Sequence, residues 1–363
     1  MNSVNVFEQN GDKEIYFVFN TELQNDEEAP TTLQEAIDGP EAEEWKLATA
    51  SEIMNFIKRK GWKKVPQSRP RELGKTIMKT KWVLKKKEQT DGSIRFKMRC
   101  VSKGYQQIPG IDFTESFAPV ANDTSIRIGI GVALYSKDWT IEVIDIEAAF
   151  LEGEITEPTF IHFPEGMEQF GFIREGERDN YCIELKKSMY GNVDAALKFF
   201  QTYSAHLINT QGMRQSQADP CVFMKEEEDE IVLIAMTFVD DTILFGTKTW
   251  IEWFKKGVEQ RFKYTDEGKL KKHLGIAYEW KQDEEGEPYI EATMNKMIEG
   301  IINAYDNCTS TTDKKEFNTP GIPHLSMTKS GEEEQVRDMH SYRKIVGKIL
   351  YLVTKIMLKE LMQ

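Results

Sequence analysis

Apolar residues along this chain recur at helical spacing in some segments and at every second position in others, and the changes of period mark its elements. Trp45, Ala48, Ile53, Phe56 and Ile57 form a helical stripe behind Asp38-Gly39-Pro40, with Glu41, Glu43 and Glu44 where a helix dipole favours anions. This predicts a helix ending near Gly61. The period then drops to two in Lys81 to Lys87 and again in Ile94 to Val101, and Asp91-Gly92 between them is a hairpin signal. Helical spacing returns over 125–135, and 139–144 alternates as a strand ending in Asp145. The segment 188–212 contains a second helix, with Val193, Leu197, Phe200 and Leu207 on one side and Gly212 as its stop. The run 231–239 reads as a buried strand with 242–245 as its hairpin partner across Asp240-Asp241. Beyond it come an amphipathic helix at 250–262, a short strand at 274–280, an acidic turn at 283–287, and helices at 295–305 and 342–361. Residues 1–37 are acidic and weakly patterned, and read as a lead-in or linker. No internal repeat interrupts this order.

Charge changes the picture. The 363 residues carry a formal net charge of -13, which taken whole argues against a nucleic-acid partner. A phosphate backbone responds to the local field, however, and residues 58–103 hold 17 basic against three acidic residues, an island of +14 that leaves -27 elsewhere. A lysine-rich edge strand that deters aggregation is the plain alternative, but so many cations exceed edge protection and favour a phosphate partner. The four cysteines, Cys100, Cys182, Cys221 and Cys308, form no C-x-x-C pair and do not cluster with His, so neither a disulfide framework nor a zinc site is signalled. The most apolar run is about half a membrane span, and no signal pattern opens the chain. The expected compartment is reducing, cytoplasmic or nuclear, neither secreted nor membrane-bound.

Two places put acids where a solvated acid does not normally sit. Alternation in Ile141-Glu142-Val143-Ile144-Asp145 places Asp145 at a strand end on the face of Ile141 and Val143, and Asp240-Asp241 interrupts an apolar run at its turn. Alone, Asp145 reads as a helix N-cap and Asp240-Asp241 as turn residues. Together they could form a divalent-metal site, because Mg²⁺ prefers carboxylate and phosphate oxygens. Two ions roughly 3.5–4 Å apart would suit phosphoryl displacement, with the basic ribbon holding the anionic substrate.

At this point the sequence resembles the reverse transcriptase of copia-type LTR retrotransposons, from about residue 35 to the C-terminus. The resemblance rests on Trp82-Val83-Leu84-Lys85, Lys97 to Gln107, Gly110 to Val120, Asp145 to Gly153, Phe238-Val239-Asp240-Asp241 and Leu274-Gly275-Ile276, in that order. It implies an α+β, right-hand polymerase with fingers, an antiparallel-sheet palm and a helical thumb. Residues 1–37 would be the lead-in and 38–125 the N-terminal helix and basic fingers. The palm would span 126–280, with part of the fingers inserted near 155–190, and 281–363 would hold the thumb and a truncated connection without the RNase H domain that normally follows. Asp145 and Asp240 would bind both catalytic Mg²⁺ ions, with Asp241 completing the triad, and a primer 3′ hydroxyl would attack the α-phosphate of a dNTP on an RNA or DNA template. Phe150 matches the family's steric gate against a ribose 2′ hydroxyl, although plain core packing accounts for it by spacing alone. Lys97, Arg99 and Gly191 are implied at the dNTP, and Lys85, Lys86, Lys87 and Lys103 at nucleic acid. Other segments of a Gag-Pol polyprotein are implied partners, and virus-like particles an implied setting.

The chain departs from the family in three places. Phe238 replaces the usual Tyr before Val-Asp-Asp. The segment Tyr190 to Phe199 lacks the usual Gln and Arg of Tyr-Gly-Leu-Lys-Gln-Ala-Pro-Arg-Ala-Trp. The post-thumb segment Tyr342 to Leu352 is followed only by a short tail. The second and third keep open a catalytically inert relic that at most binds nucleic acid through residues 58–103, and a different two-metal phosphotransferase is a further alternative.

Overall fold

The computed structural model of the chain describes residues 5–9, 12–16, 29–59, 61–88, 92–136, 138–308 and 339–355. They divide into two compact units, Met1–Pro119 with Ala148–Leu207, and Val120–Glu147 with Ile208–Gln363. No helix among the described residues is long and apolar enough to cross a membrane.

In the first unit the ribbon predicted from period-two spacing is present as Thr80–Glu88 antiparallel to Ile94–Ser102, with Lys85 opposite Lys97 and Lys87 opposite Arg95. Asp91 of its turn lies outside the described residues. One ribbon face, Trp82, Leu84, Met98 and Cys100, is buried. It joins a core with Trp45 and Ile53 of the helix Ala42–Lys58, where Trp45 meets Phe96 edge-on at 4.9 Å. That helix begins later than its Asp38-Gly39-Pro40 signal suggests. The lead-in ends in a helix of its own, Leu33–Asp38, closed by a capping box in which Thr32 and Glu35 satisfy each other's backbone donors. A small hairpin, Asn5–Gln9 with Asp12–Tyr16, lies before it.

The same unit contains a four-stranded sheet in the order Trp62–Pro66, Tyr181–Lys187, Glu154–Ile161, Ile77–Met78. The period reading did not register these strands, and Glu184 explains part of that. It sits within a buried run with its carboxylate 5% exposed, which is tolerated because Arg69 and Lys186 bond it at 2.7 and 2.5 Å.

The second unit is built on a six-stranded antiparallel sheet in the order Arg214–Gln215, Val222–Glu227, Glu230–Phe238, Asp241–Gly246, Thr140–Ile146, Tyr264–Lys269. Two adjacent strands, fourth and fifth in this order, are buried on both faces: Thr242 to Phe245 in one, Ile141, Val143, Ile144 and Ile146 in the other. This is why their sequences read as near-continuous apolar runs. The helices Asp123–Tyr135 and Lys248–Glu259 cover the sheet. Gly129 is a packing requirement, because a Cβ there would lie 2.8 Å from Met236 Cε and 2.9 Å from Phe245 Cζ.

A three-stranded sheet, Lys272–His273, Ile276–Gln282 and Pro288–Thr293, follows. Then come the paired helices Asn295–Cys308 and Met339–Lys355, joined by Lys348 Nζ donating to the Gly300 carbonyl at 3.0 Å. The part of the last helix predicted beyond Lys355 lies outside the described residues.

One buried cation ties helix to sheet beneath the Asp145 strand. Lys255 of Lys248–Glu259 is 4% exposed and donates at 2.6 Å to both Glu142 and Asp266, on adjacent strands. Burial opposes its charge, but the two carboxylates outweigh that and raise its pKa. Asp266 is lowered in spite of desolvation, by Lys255 and the Gly268 N–H. Lys255→Ala should therefore lower unfolding free energy by about 3 kcal/mol, since it strands Glu142 against the sheet, whereas the double variant Lys255→Met with Glu142→Leu, which leaves no stranded charge there, should cost less than half as much. Urea midpoints of the two variants measure this.

Candidate active site

The tight turn of the central hairpin carries two of the three aspartates. Phe238 pairs with Asp241, leaving Val239-Asp240 as a two-residue loop, and Val239 takes φ +57°. A β-branched residue is rarely found there, and holding it costs on the order of 1–3 kcal/mol. The neighbouring strand fixes the turn: Ile146 N–H donates to the Asp240 carbonyl at 2.8 Å, and Asp241 lies directly opposite Asp145. Register thus brings Asp145, Asp240 and Asp241 together, each with a carboxylate oxygen within 4.8 Å of the others'. Asp240 is exposed and the other two are half-buried.

The donor set fits a divalent ion of the Mg²⁺ kind. All ligand atoms are carboxylate oxygens, and three negative charges this close repel unless a cation lies between them. Among the described residues no other group of three or more acidic, His or Cys side chains is arranged to hold a metal. Desolvation and the Asp241 charge together raise the pKa of nearby Glu267.

One residue at this site has no motif behind it. His273, whose side chain is 2% exposed, places Nδ1 3.4 Å from Asp241 Oδ2, and its ring meets Phe238 edge-to-face at 5.8 Å. Neither ring nitrogen has a hydrogen-bond partner. A lone His ahead of Leu274-Gly275 carries no sequence signal, so only the folded chain reveals it.

The residues expected at a nucleotide lie in the other unit. Phe150 is half-buried in the short turn Ala149–Leu151 and meets Tyr190 edge-on at 5.7 Å, while the Arg99 guanidinium lies over the same Tyr190 ring at 5.1 Å. Tyr190 therefore joins the expected sugar gate to an expected phosphate ligand. Gly191 is accounted for differently. At φ +90°, a Cβ there would lie 2.2 Å from the Ser102 carbonyl and 2.5 Å from Val101 Cγ1, so glycine is required where this backbone crosses the end of the ribbon. The helix expected within 188–212 follows this crossing and runs over Ala195–Asn209.

The ribbon has two unlike faces, which separate Lys86 from Lys85 and Lys87. Lys86 turns inward, bonds Glu41 at 2.7 Å and lies 5.9 Å from the Phe96 ring. Lys81, Lys85, Lys87, Arg95, Lys97 and Arg99 occupy alternate positions, on the other face. Like charges opposite each other in a sheet are destabilising. Lys103 begins the turn Gly104–Gln106 that leaves the ribbon, its N–H donating to the Lys79 carbonyl at 2.8 Å.

Comparison with known proteins agrees with these features. The chain is 32% identical over 320 residues to the Retrovirus-related Pol polyprotein from transposon RE1 of Arabidopsis thaliana, covering 87% of this chain and 20% of that one. It is 29% identical to the corresponding polyprotein from transposon TNT 1-94 of Nicotiana tabacum, covering 91% and 24%, and 24% identical to the truncated transposon Ty1-A Gag-Pol polyprotein of Saccharomyces cerevisiae, covering 86% and 25%. The chain thus spans between a fifth and a quarter of the length of these relatives. A solved telomerase from Candida albicans, in complex with a fragment of telomeric RNA, is similar at a TM-score of 0.35 and 8% identity, over 72% of this chain and 55% of that one. Residues 61–316 match the family described as reverse transcriptase (RNA-dependent DNA polymerase). The α+β architecture is accordingly that of a right-hand polymerase. With most of its length matched and three aspartates gathered where a hairpin meets the neighbouring strand, the chain belongs to the reverse transcriptase family of copia-type retrotransposons.

Proposed function

We propose that this chain is the DNA-synthesising part of a copia-type Pol polyprotein, an RNA-directed DNA polymerase that extends a primer on an RNA or DNA template from dNTPs. The observation that carries the reading is the convergence of Asp145, Asp240 and Asp241 at one strand end. Asp145 and Asp240 would hold two Mg²⁺ ions, with Asp241 beside them. Bound there, such ions activate the attacking hydroxyl and neutralise charge on the leaving oxygens. The strained Val239 turn and the Ile146–Asp240 hydrogen bond keep the carboxylates aimed before substrate arrives, which is where most of the catalytic advantage of positioning lies. In this reading the ribbon belongs to the fingers, the six-stranded sheet is the palm, and the paired helices Asn295–Cys308 and Met339–Lys355 form part of the thumb. Lys97 and Arg99 face the triphosphate, and Phe150 excludes a ribose 2′ hydroxyl. Tyr190, between Arg99 and Phe150, holds both in register.

Primer extension tests the core of this. Asp240→Asn should lower extension by about 1,000-fold or more, the loss expected when several kcal/mol of metal-borne transition-state stabilisation disappears; equal extension by wild type and variant would refute it. Phe150→Ala should raise ribonucleotide incorporation relative to deoxynucleotide by about 10- to 100-fold, read from competing nucleotides in single-turnover assays. Lys85→Gln and Lys87→Gln should each weaken template binding and reduce the salt slope of affinity by about 1, while Lys86→Gln should leave the slope unchanged and lower the melting temperature instead.

A further inference from the structure

The second carboxylate oxygen of Asp241 has a neighbour that the reading above does not use. His273 sits on the short strand Lys272–His273, and Leu274 and Gly275 turn the chain straight back with φ +50° and +80°, so that His273 pairs with Ile276. The Tyr351 hydroxyl donates to the Leu274 carbonyl at 2.9 Å, which anchors that turn from the last helix. The ring is therefore held in place by its backbone on one side and by Phe238 on the other. It is buried with both nitrogens unpartnered, and an unpartnered polar group in such a place is costly unless something about the site uses it. The charged groups around it are Asp241, Glu267 and Lys272. With an anion 3.4 Å from Nδ1, the tautomer that suits the site carries its proton on Nδ1. A closure of about half an ångström makes a charge-assisted hydrogen bond.

We propose that His273 is a positioning residue for the cation site: its Nδ1–H holds Asp241 Oδ2, so that the other oxygen of Asp241 stays turned toward Asp145 and Asp240. Outer contacts of this kind fix the orientation of metal-binding carboxylates, and their loss typically weakens metal affinity by about 10- to 100-fold. The inference rests on the trio being the metal site.

Two substitutions separate the hydrogen bond from the packing. His273→Phe keeps a ring against Phe238 and removes the donor, whereas His273→Asn places an amide nitrogen close to where Nδ1 lies. The probe is Mn²⁺ alone, added to the full chain and followed by electron paramagnetic resonance. Affinity should fall by about 10-fold in His273→Phe and stay close to wild type in His273→Asn. In an Asp241→Asn background, His273→Phe should add no further loss, because the effect runs through Asp241. A His273→Phe variant that binds Mn²⁺ like wild type, an Asn variant as weak as Phe, or an undiminished Phe effect without the Asp241 carboxylate would each overturn the proposal. Asp240→Asn is the control for the trio itself. If it too binds Mn²⁺ like wild type, the metal-site reading falls; if it loses binding while His273→Phe does not, only the role of His273 falls.

Discussion

Three carboxylates held within 4.8 Å of one another are the constraint around which the second unit is organised. Two unit charges about 4 Å apart repel by roughly 4 kcal/mol at the effective dielectric of a protein surface, so the chain keeps them together only because the scaffold leaves them nowhere else to go. That scaffold is the register Asp241 opposite Asp145, the hydrogen bond from Ile146 to Asp240, and two adjacent strands buried on both faces. A one-residue slip of this pairing would exchange the side chains between the two packed faces and move Asp241 away from Asp145, so packing and site geometry depend on the same register. Repulsion built into the unloaded site is also what makes a cation welcome there.

The buried Lys255, with Glu142 and Asp266 as its partners, protects this arrangement from below. Glu142 stands three residues before Asp145, and a helix lysine reaching both strands makes their spacing hard to alter. His273 does at the front of the site what Lys255 does at its base, restraining a carboxylate through a partner from another element. Lys255 is buried where its own solvation is lost, and its two carboxylate partners offset that loss.

The first unit treats charge in the opposite way, spreading like-signed residues along one ribbon face while the other packs on Trp45. The apolar face explains how so cationic a segment folds at all. Burying Trp82, Leu84, Met98 and Cys100 against a helix contributes on the order of 1.5–3 kcal/mol for each large side chain, enough to offset repulsion between Lys85 and Lys97 or Lys87 and Arg95 across the strands. The net charge of -13 is thus no guide to partners, because the acidic majority lies apart from the ribbon.

Local features were legible without a structure. The hairpin around Asp240-Asp241, the strand ending in Asp145, the period-two ribbon and most helices follow from spacing and turn residues, because those signals concern neighbours within a few positions. What spacing does not carry is which distant segment lies against which face. Lys86 is inseparable from Lys85 and Lys87 in sequence, yet the helix Ala42–Lys58 covers its side of the ribbon and Glu41 takes its charge. Gly191 carries no sign in the sequence that its backbone is pressed against Ser102, nearly ninety residues away. The strand Tyr181–Lys187 is hidden by a glutamate that only its partners from other segments make acceptable. His273 gains a role because a turn 32 residues beyond Asp241 returns beside it. The sequence by itself determined the aspartates, the basic ribbon and the elements that present them, since these are written in short-range order. The tertiary structure alone decided which charges face outward, which are neutralised and which carboxylate is held, because long-range register sets those contacts and no local period encodes it.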